Sequence, residues 1–430
     1  MNRFQLAVSA AVLPLLGVAQ AASAAPAGDQ QKAMRALYAS RAFDTARKSL
    51  AADYDRIVKE VVTLTEIPAP PFKEAKRAAA YMEMLRAAGL QDVEMDEEGN
   101  VMGLRKGTGG GPLLVVAAHL DTVFPEGTPI KVREEGGYLH APGVGDDTCS
   151  LPVLLAFIRA LDKAGIRTKS DILFVGDVGE EGPGDLRGMR HLFTKGKYQG
   201  RIARFISVEP GRDRVTNGGV GSKRYRIAFK GPGGHSYGAF GLVNPAYAMG
   251  DAMVEFGKMK VPAEPRTTFN IGVVEGGTSV NSIPFETAMT VDMRSESKEE
   301  LAKEDAYLKS ILPGAVDREN AARSTARGKI SVEQKMIGDR PVGHTADSDP
   351  LVQTAFAAIA VGGGKPELES SSTDSNLPMS LGIPAVTIGS GFAAERSHSP
   401  DERLKLDREE TVRYMTMSLA TVIAAADLGK

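Results

Sequence analysis

Three short, almost wholly apolar runs, "LLVVAAHLD" at 113–121, "DILFVGDV" at 171–178 and "RFISVEP" at 204–210, alternate along this chain with stretches whose apolar residues recur every three or four positions, such as "LPVLLAFIRALDKAG" at 151–165. A run of strand length that is apolar at every position belongs to a strand buried on both faces. Strands of that kind alternating with amphipathic helices predict an α/β fold, a mostly parallel sheet with helices on both faces. With 430 residues, 42% of them hydrophobic, the chain is long enough for a large core and two domains.

Near Gly221 the pattern changes. "SKRYRIAFKG" at 222–231 alternates polar and apolar residues, and after it come helix-like "NPAYAMGDAMVEFGKM", strand-like "TFNIGVVEGG" and "ETAMTVDMRS", the charged helix "SKEELAKEDAYLKSIL" and a last strand, "KISVEQKMI". Strand, helix, two strands, helix, strand is the order of a ferredoxin-like α+β layer. It predicts an inserted lid or dimerisation domain over 222–341, between catalytic-domain segments at 25–221 and 342–430.

Ahead of these lies an export pattern. Met1, Asn2 and Arg3 give a positive start, Leu6 to Val18 an apolar stretch, and "AQAASAA" small residues at cleavage spacing. The expectation is a signal peptide over 1–24 and a periplasmic or secreted mature protein with no stable membrane span, the apolar stretch being too short for one. One cysteine, Cys149, allows no intrachain disulfide. A balance of 52 Lys and Arg against 54 Asp and Glu argues against nucleic acid as a partner. After the signal, one helix-like stretch runs from about Lys32 to Ile67, stopped by Pro68, Pro70 and Pro71.

The chemistry-bearing residues cluster where strands end. His119 and Asp121 are two apart on one strand, so both face one side, and an imidazole backed by a carboxylate is a metal-ligand arrangement. Asp146 lies on the glycine-rich "APGVGDDT", Glu180 and Glu181 follow the second run, Glu209 ends the third, and His398 arrives in "ERSHSPDE". Singly, each is an ordinary turn or strand end. Together they bring His and carboxylate donors to the edge where open α/β sheets hold ligands, and two His with three carboxylates suit two Zn²⁺, or Mn²⁺ or Co²⁺.

"HLDTVFPEGT", "GPGGHS", "GGTSVNSIP" and "HSPDE", with the Asp146-Asp147 and Glu180-Glu181 pairs in order, resemble the M20 family of co-catalytic zinc exopeptidases and amidohydrolases from about Leu50 onward. The resemblance implies that Asp146 bridges two metals, that His119 and Glu209 complete one site, and that Glu181 and His398 complete the other. It makes Glu180 the general base and Asp121 the carboxylate that orients His119. It also implies that His235 polarises the scissile carbonyl, often from the partner subunit of a homodimer, that Arg294 clamps a substrate carboxylate, and that Asn281 assists in the same pocket. The turn Gly389-Ser390-Gly391 offers backbone amides to that carboxylate or is a plain turn. One departure stands out: many relatives read Asp-Asp-Lys-Gly-Gly, and this chain reads Asp146-Asp147-Thr148-Cys149-Ser150, with Cys149 expected as a semi-buried structural thiol.

Glu180 would then take a proton from a water and return it to the leaving amine, with no covalent intermediate. The expected activity is a dizinc exopeptidase acting on short peptides and releasing a C-terminal residue. The alternatives are an N-acyl-amino-acid deacylase, an aminopeptidase of the peptidase T kind and, from another class, a catalytically idle binding protein.

Overall fold

The structure is a computed structural model describing residues 28–109 and 111–427. The expected signal peptide lies outside these residues. At the centre of the main sheet, Leu113–His119 pairs in parallel with Ile172–Asp177 on one side and Ile202–Glu209 on the other, and Ala385–Gly389 runs parallel beyond Ile202–Glu209. Antiparallel strands close both sides: Val101–Arg105 and Gln91–Met95 at one edge, Arg214–Gly219 and the short Gly343–His344 at the other. The sheet is thus mostly parallel at its core, as the apolar runs predicted.

Alternation explains why those runs carry no polar side. Leu114, Val116 and Ala118 enter one core together with the helix Ser150–Lys163, whereas Leu113, Val115 and Ala117 enter a second core on the opposite face. Two helices, not one, occupy the N-terminal stretch. Gly28–Ala39 ends before Ser40, whose extended backbone and side-chain oxygen, accepting from the Phe43 amide, start Arg41–Thr65. Phe43, Ala46, Leu50, Tyr54, Ile57, Val61 and Leu64 then form one buried stripe. Among the described residues no helix is long and apolar enough to cross a membrane.

Between Arg214–Gly219 and Gly343–His344 the chain builds a separate four-stranded antiparallel sheet, ordered Thr267–Gly276, Glu286–Ser295, Gly221–Lys230, Ser331–Arg340. Its helices Pro245–Phe256 and Lys298–Ala322 pack on one face through Met249, Phe256, Leu308 and Leu312 against Ile227, Met289 and Val291. The longer helix starts at a cap, the Ser297 hydroxyl accepting from the Glu300 amide. It continues past the expected end at Leu312, through Pro313, because Ala315 and Glu319 are still buried. On the two central strands the odd-numbered residues enter this core, so Arg224, Asp292 and Arg294 lie on the opposite face, where they line a cleft shared with the main domain.

Candidate metal centre

His119 and Glu209 end adjacent parallel strands two residues beyond the Ala117–Ser207 pair, so the register brings both to one edge. Asp146 lies between the two histidines: its Oδ1 is 3.1 Å from His119 Nε2 and its Oδ2 is 3.3 Å from His398 Nε2. Glu181 Oε1 is 2.9 Å from His398 Nε2. Donor atoms of His119, Glu180 and Glu181 lie within 4.8 Å of one another, as do those of Asp146, Glu181 and His398. The two groups share Glu181. Glu209 lines the same cleft of about 480 Å³ but belongs to neither group. Burial, with Asp146, Asp147 and Glu180 nearby, pushes the Glu209 carboxyl well above the usual carboxylate range.

Buried neighbours hold these donors in place, and one does so differently from the expectation. His119 Nδ1 lies 3.0 Å from the backbone carbonyl of Asp121, and the Asp121 carboxylate stands off at 3.6 Å. That carboxylate instead accepts from the amides of Gly179, Glu180 and Glu181 at 2.9, 3.1 and 2.8 Å. The imidazole is therefore oriented chiefly by the Asp121 main chain, while the side chain fixes the Glu180-Glu181 loop. On the far side, Glu402, 1% exposed, accepts from the amides of Gly143, Gly145 and Asp146 at 3.0, 2.8 and 2.9 Å. It ties the His398 segment to the Asp146 turn. Gly145 has to be glycine there, because a Cβ would fall 2.5 Å from that of Ala394 and 2.9 Å from Glu402 Oε1.

Thr148-Cys149-Ser150, the departure, and Asp147 before it play structural parts. Asp147 Oδ2 accepts from the His119 amide at 3.1 Å, and Thr148 accepts from buried Arg77, which also bonds the carbonyls of Ile67 and Leu120. Cys149 is wholly rather than partly buried, and burial raises its thiol pKa well above the ordinary value, leaving it inert.

Across the cleft the inserted domain supplies cations. Asp292 is shared by two guanidiniums, Arg224 Nε at 2.8 Å and Arg294 Nε at 2.7 Å, and both arginines line the cleft. Arg340, the last residue of Ser331–Arg340, is buried against Glu180, its Nη1 2.8 Å from Glu180 Oε1. Burial raises the Glu180 carboxyl to about 7, Arg340 pulling it down and Glu181 and Asp121 pushing it further up. None of Arg224, Asp292, Arg340 and Glu402 was singled out in the sequence, although Glu402 sits inside "HSPDE".

Four expected substrate residues fall elsewhere. His235 and Asn281 lie side by side on a small ribbon, Gly234–His235 paired with Ser282–Ile283, and neither lines the cleft of its own chain. The expected amide cradle at Gly389 and Ser390 is already occupied: the Ser390 amide donates to the Glu209 carbonyl at 2.6 Å and the Gly391 amide to the Gly211 carbonyl at 3.0 Å. Ser390 is fully buried, and Gly389 ends its strand level with Glu209.

Two imidazoles and a surplus of carboxylates, converging from five separate segments, form a donor set of the kind that divalent borderline cations take, so the residues present fit a metal centre. The chain matches the family model "Peptidase family M20/M25/M40" over residues 115–424 and belongs to that family; it is a hydrolase of the M20 type. It is 26% identical over 396 residues to protein YqjE of Bacillus subtilis (strain 168), covering 86% of this chain and 98% of the relative. Its fold is similar to that of aminopeptidase PepT from Bacillus cereus ATCC 10987, with a TM-score of 0.69 and 23% identity over 87% of this chain and 99% of that one. It is also similar to the Bacillus subtilis YXEP protein, described as a dinuclear metal binding peptidase, with a TM-score of 0.61 and 19% identity over 87% and 99% of the two chains.

Proposed function

We propose that the protein is an exported exopeptidase that holds two zinc ions, Co²⁺ or Mn²⁺ serving as alternatives, and hydrolyses short peptides to release a C-terminal residue. The observation that carries this reading is that Arg294 and the carboxylates of Glu180 and Glu181 line one cleft, the cation from the insert and the carboxylates from the main sheet. At about 480 Å³ the cleft is within the usual range for small-molecule sites, roughly 300–1,000 Å³. His119, Asp146, Glu181, Glu209 and His398 would hold the cations, which when bound supply Lewis-acid polarisation and a more acidic water. Glu180 would take a proton from the attacking water and deliver it to the leaving nitrogen. Arg294 binds the terminal carboxylate as a planar fork, held in place by Asp292.

Both oxygens of Asp292 are engaged by arginines, so it does not offer a carboxylate for a free amine. This favours carboxylate recognition over an aminopeptidase. An N-acyl amino acid carries the same carboxylate and amide, and product analysis separates the two. Metal-loaded protein incubated with mixed di- and tripeptides and N-acyl amino acids, followed by mass spectrometry, should release C-terminal amino acids from peptides. Turnover of N-acyl amino acids alone would make it a deacylase, and release only of N-terminal residues would make it an aminopeptidase.

A homodimer through the insert belongs to the same proposal. Thr267–Gly276 is an edge strand with Val273 and Val274 exposed, and Val280, Tyr237 and Phe240 stand out in solvent nearby. His235 Nδ1 accepts from the amides of Tyr237 and Gly238, so the outward Nε2 carries the proton and can donate to a developing oxyanion in a second copy. Mixing inactive His235→Ala and Glu180→Gln proteins should restore part of the activity, since one site of each hybrid keeps both groups. No recovery from hybrids shown to form would place His235 outside catalysis in trans. The N-terminal pattern supports export, and the N-terminus of the mature protein in a cell fractionation would test it.

A further inference from the structure

Arg340 sits where the inserted domain returns to the main one: it ends the strand Ser331–Arg340, and Gly343–His344 already pairs with the main sheet. Its guanidinium contacts three acceptors at once. Nη1 is 2.8 Å from Glu180 Oε1 and 3.1 Å from Ser372 Oγ, and Nη2 donates to the Glu180 carbonyl oxygen. Both members of the ion pair are buried, their side chains 5% and 7% exposed. The preceding residue is fastened to the same loop, the Asp339 amide donating to Asp185 Oδ1 at 2.9 Å and Arg190 Nη2 donating to the Asp339 carbonyl at 2.6 Å. Asp121 holds the amides of Gly179, Glu180 and Glu181 from the other side. The Glu180 backbone is thus fixed from both the main sheet and the root of the insert, and its side chain from the root of the insert.

A buried ion pair is weak evidence for stability, because desolvation offsets most of the attraction. The choice of partner is more informative. Glu181 and Asp146 face histidines, whereas Glu180 faces Arg340, although its carboxylate is also within 4.8 Å of the donor atoms of His119 and Glu181. Glu181 belongs to both donor groups and Glu180 to one, and it is Arg340 that occupies the Glu180 carboxylate in place of a histidine. We propose that Arg340 is a positioning residue that keeps Glu180 out of the metal-donor set, in place to move a proton, and links that placement to the root of the inserted domain. This rests on the reading of Glu180 as the base.

The test is a double-mutant cycle on the full-length metal-loaded protein, with kcat and KM measured for Arg340→Met and Arg340→Lys in the Glu180 and Glu180→Gln backgrounds. Metal content is followed by mass spectrometry and amide exchange of residues 179–184 on the metal-free protein. Arg340→Met should lower kcat on the order of 10–100-fold, the usual effect of removing a group that orients an active-site residue, with KM changed by less than about twofold and metal stoichiometry retained. Arg340→Lys, which keeps the charge but not the fork, should fall in between. In the Glu180→Gln background Arg340→Met should cost almost nothing more, and exchange at 179–184 should quicken in either background. If Arg340→Met does not fold, Arg340→Lys and Ser372→Ala carry the same comparison. An equal loss in both backgrounds, or a rise in KM alone, would overturn the proposal and leave Glu180 as base. A fully active Glu180→Gln would instead remove the base assignment, and this inference with it.

Discussion

Glu402→Gln isolates the link between the His398 segment and the Asp146 turn with almost no change in shape. In the native protein Oε1 accepts from the amides of Gly145 and Asp146, and Oε2 accepts from Gly143. A glutamine whose oxygen takes the Oε1 place keeps two of these bonds in weaker, uncharged form. Its amide group then meets the Gly143 N–H donor to donor. One lost charge-assisted bond is worth about 1.5–3 kcal/mol, and a buried unpaired donor adds to that, so the expected destabilisation is roughly 2–4 kcal/mol. Because the turn carries Asp146, the same change should weaken metal affinity by about 10–100-fold, as loss of an outer partner commonly does. The assay pairs urea unfolding of the metal-free protein with competitive metal titration against a chromogenic chelator. Destabilisation with unchanged metal affinity would refute the argument, since it would show that the turn is held in place without Glu402.

Glu180→Gln should keep full metal content and lose about 10²–10⁴-fold in kcat, whereas Glu181→Gln should lose metal; elemental analysis giving the reverse would exchange the two roles. Glu304, buried at 2% exposure in Lys298–Ala322, has its carboxyl raised to about 8 by burial, with Glu300 and Asp292 adding to the shift. A folded-state value above the unfolded one stabilises fully below about pH 4.5, and that contribution is lost as the pH rises through about 8. Glu304→Gln should therefore match the native protein near pH 4.5 in denaturant titrations and exceed it by roughly 3–5 kcal/mol at pH 9; an equal difference at both pH values would show that Glu304 is not titrating in place.

Local pattern made part of this molecule legible. The doubly buried strands announced themselves because Leu113 to Ala118 must satisfy two cores at once, and His119 and Glu209, which end two of them, inherit their placement from strand register, whereas Glu181 lies four residues past the end of Ile172–Asp177 in a loop that Asp121 holds. Asp146 and His398 could be named because their segments match a family pattern, although nothing local shows that Asp146 would lie between two histidines. What stayed hidden depends on contacts distant in sequence. Arg340 is 160 residues from Glu180 and ends an otherwise ordinary polar strand. Asp292 reads as a solvated strand residue until the sheet sets it between Arg224 and Arg294. The expected amide cradle at Ser390 failed for the converse reason: a glycine turn looks open in sequence, and only the parallel pairing of Gly389 with Glu209 shows its amides already bonded. Likewise, period 2 placed Asp121 on the side of His119, but could not show three loop amides competing for its carboxylate.

The central claim is that Arg294 recognises a free C-terminal carboxylate beside a metal-assisted hydrolytic site. The most direct measurement compares kcat/KM for one good peptide substrate as free acid and as C-terminal amide, on the native protein and on Arg294→Lys. The account predicts that amidation costs the native protein about 2–4 kcal/mol in kcat/KM, from lost charge-assisted bonding to the Arg294 fork. Arg294→Lys should cost less than that on the acid and almost nothing on the amide. Equal turnover of acid and amide, with a requirement for a free α-amine instead, would contradict it and show that Arg294 serves some other purpose in the cleft.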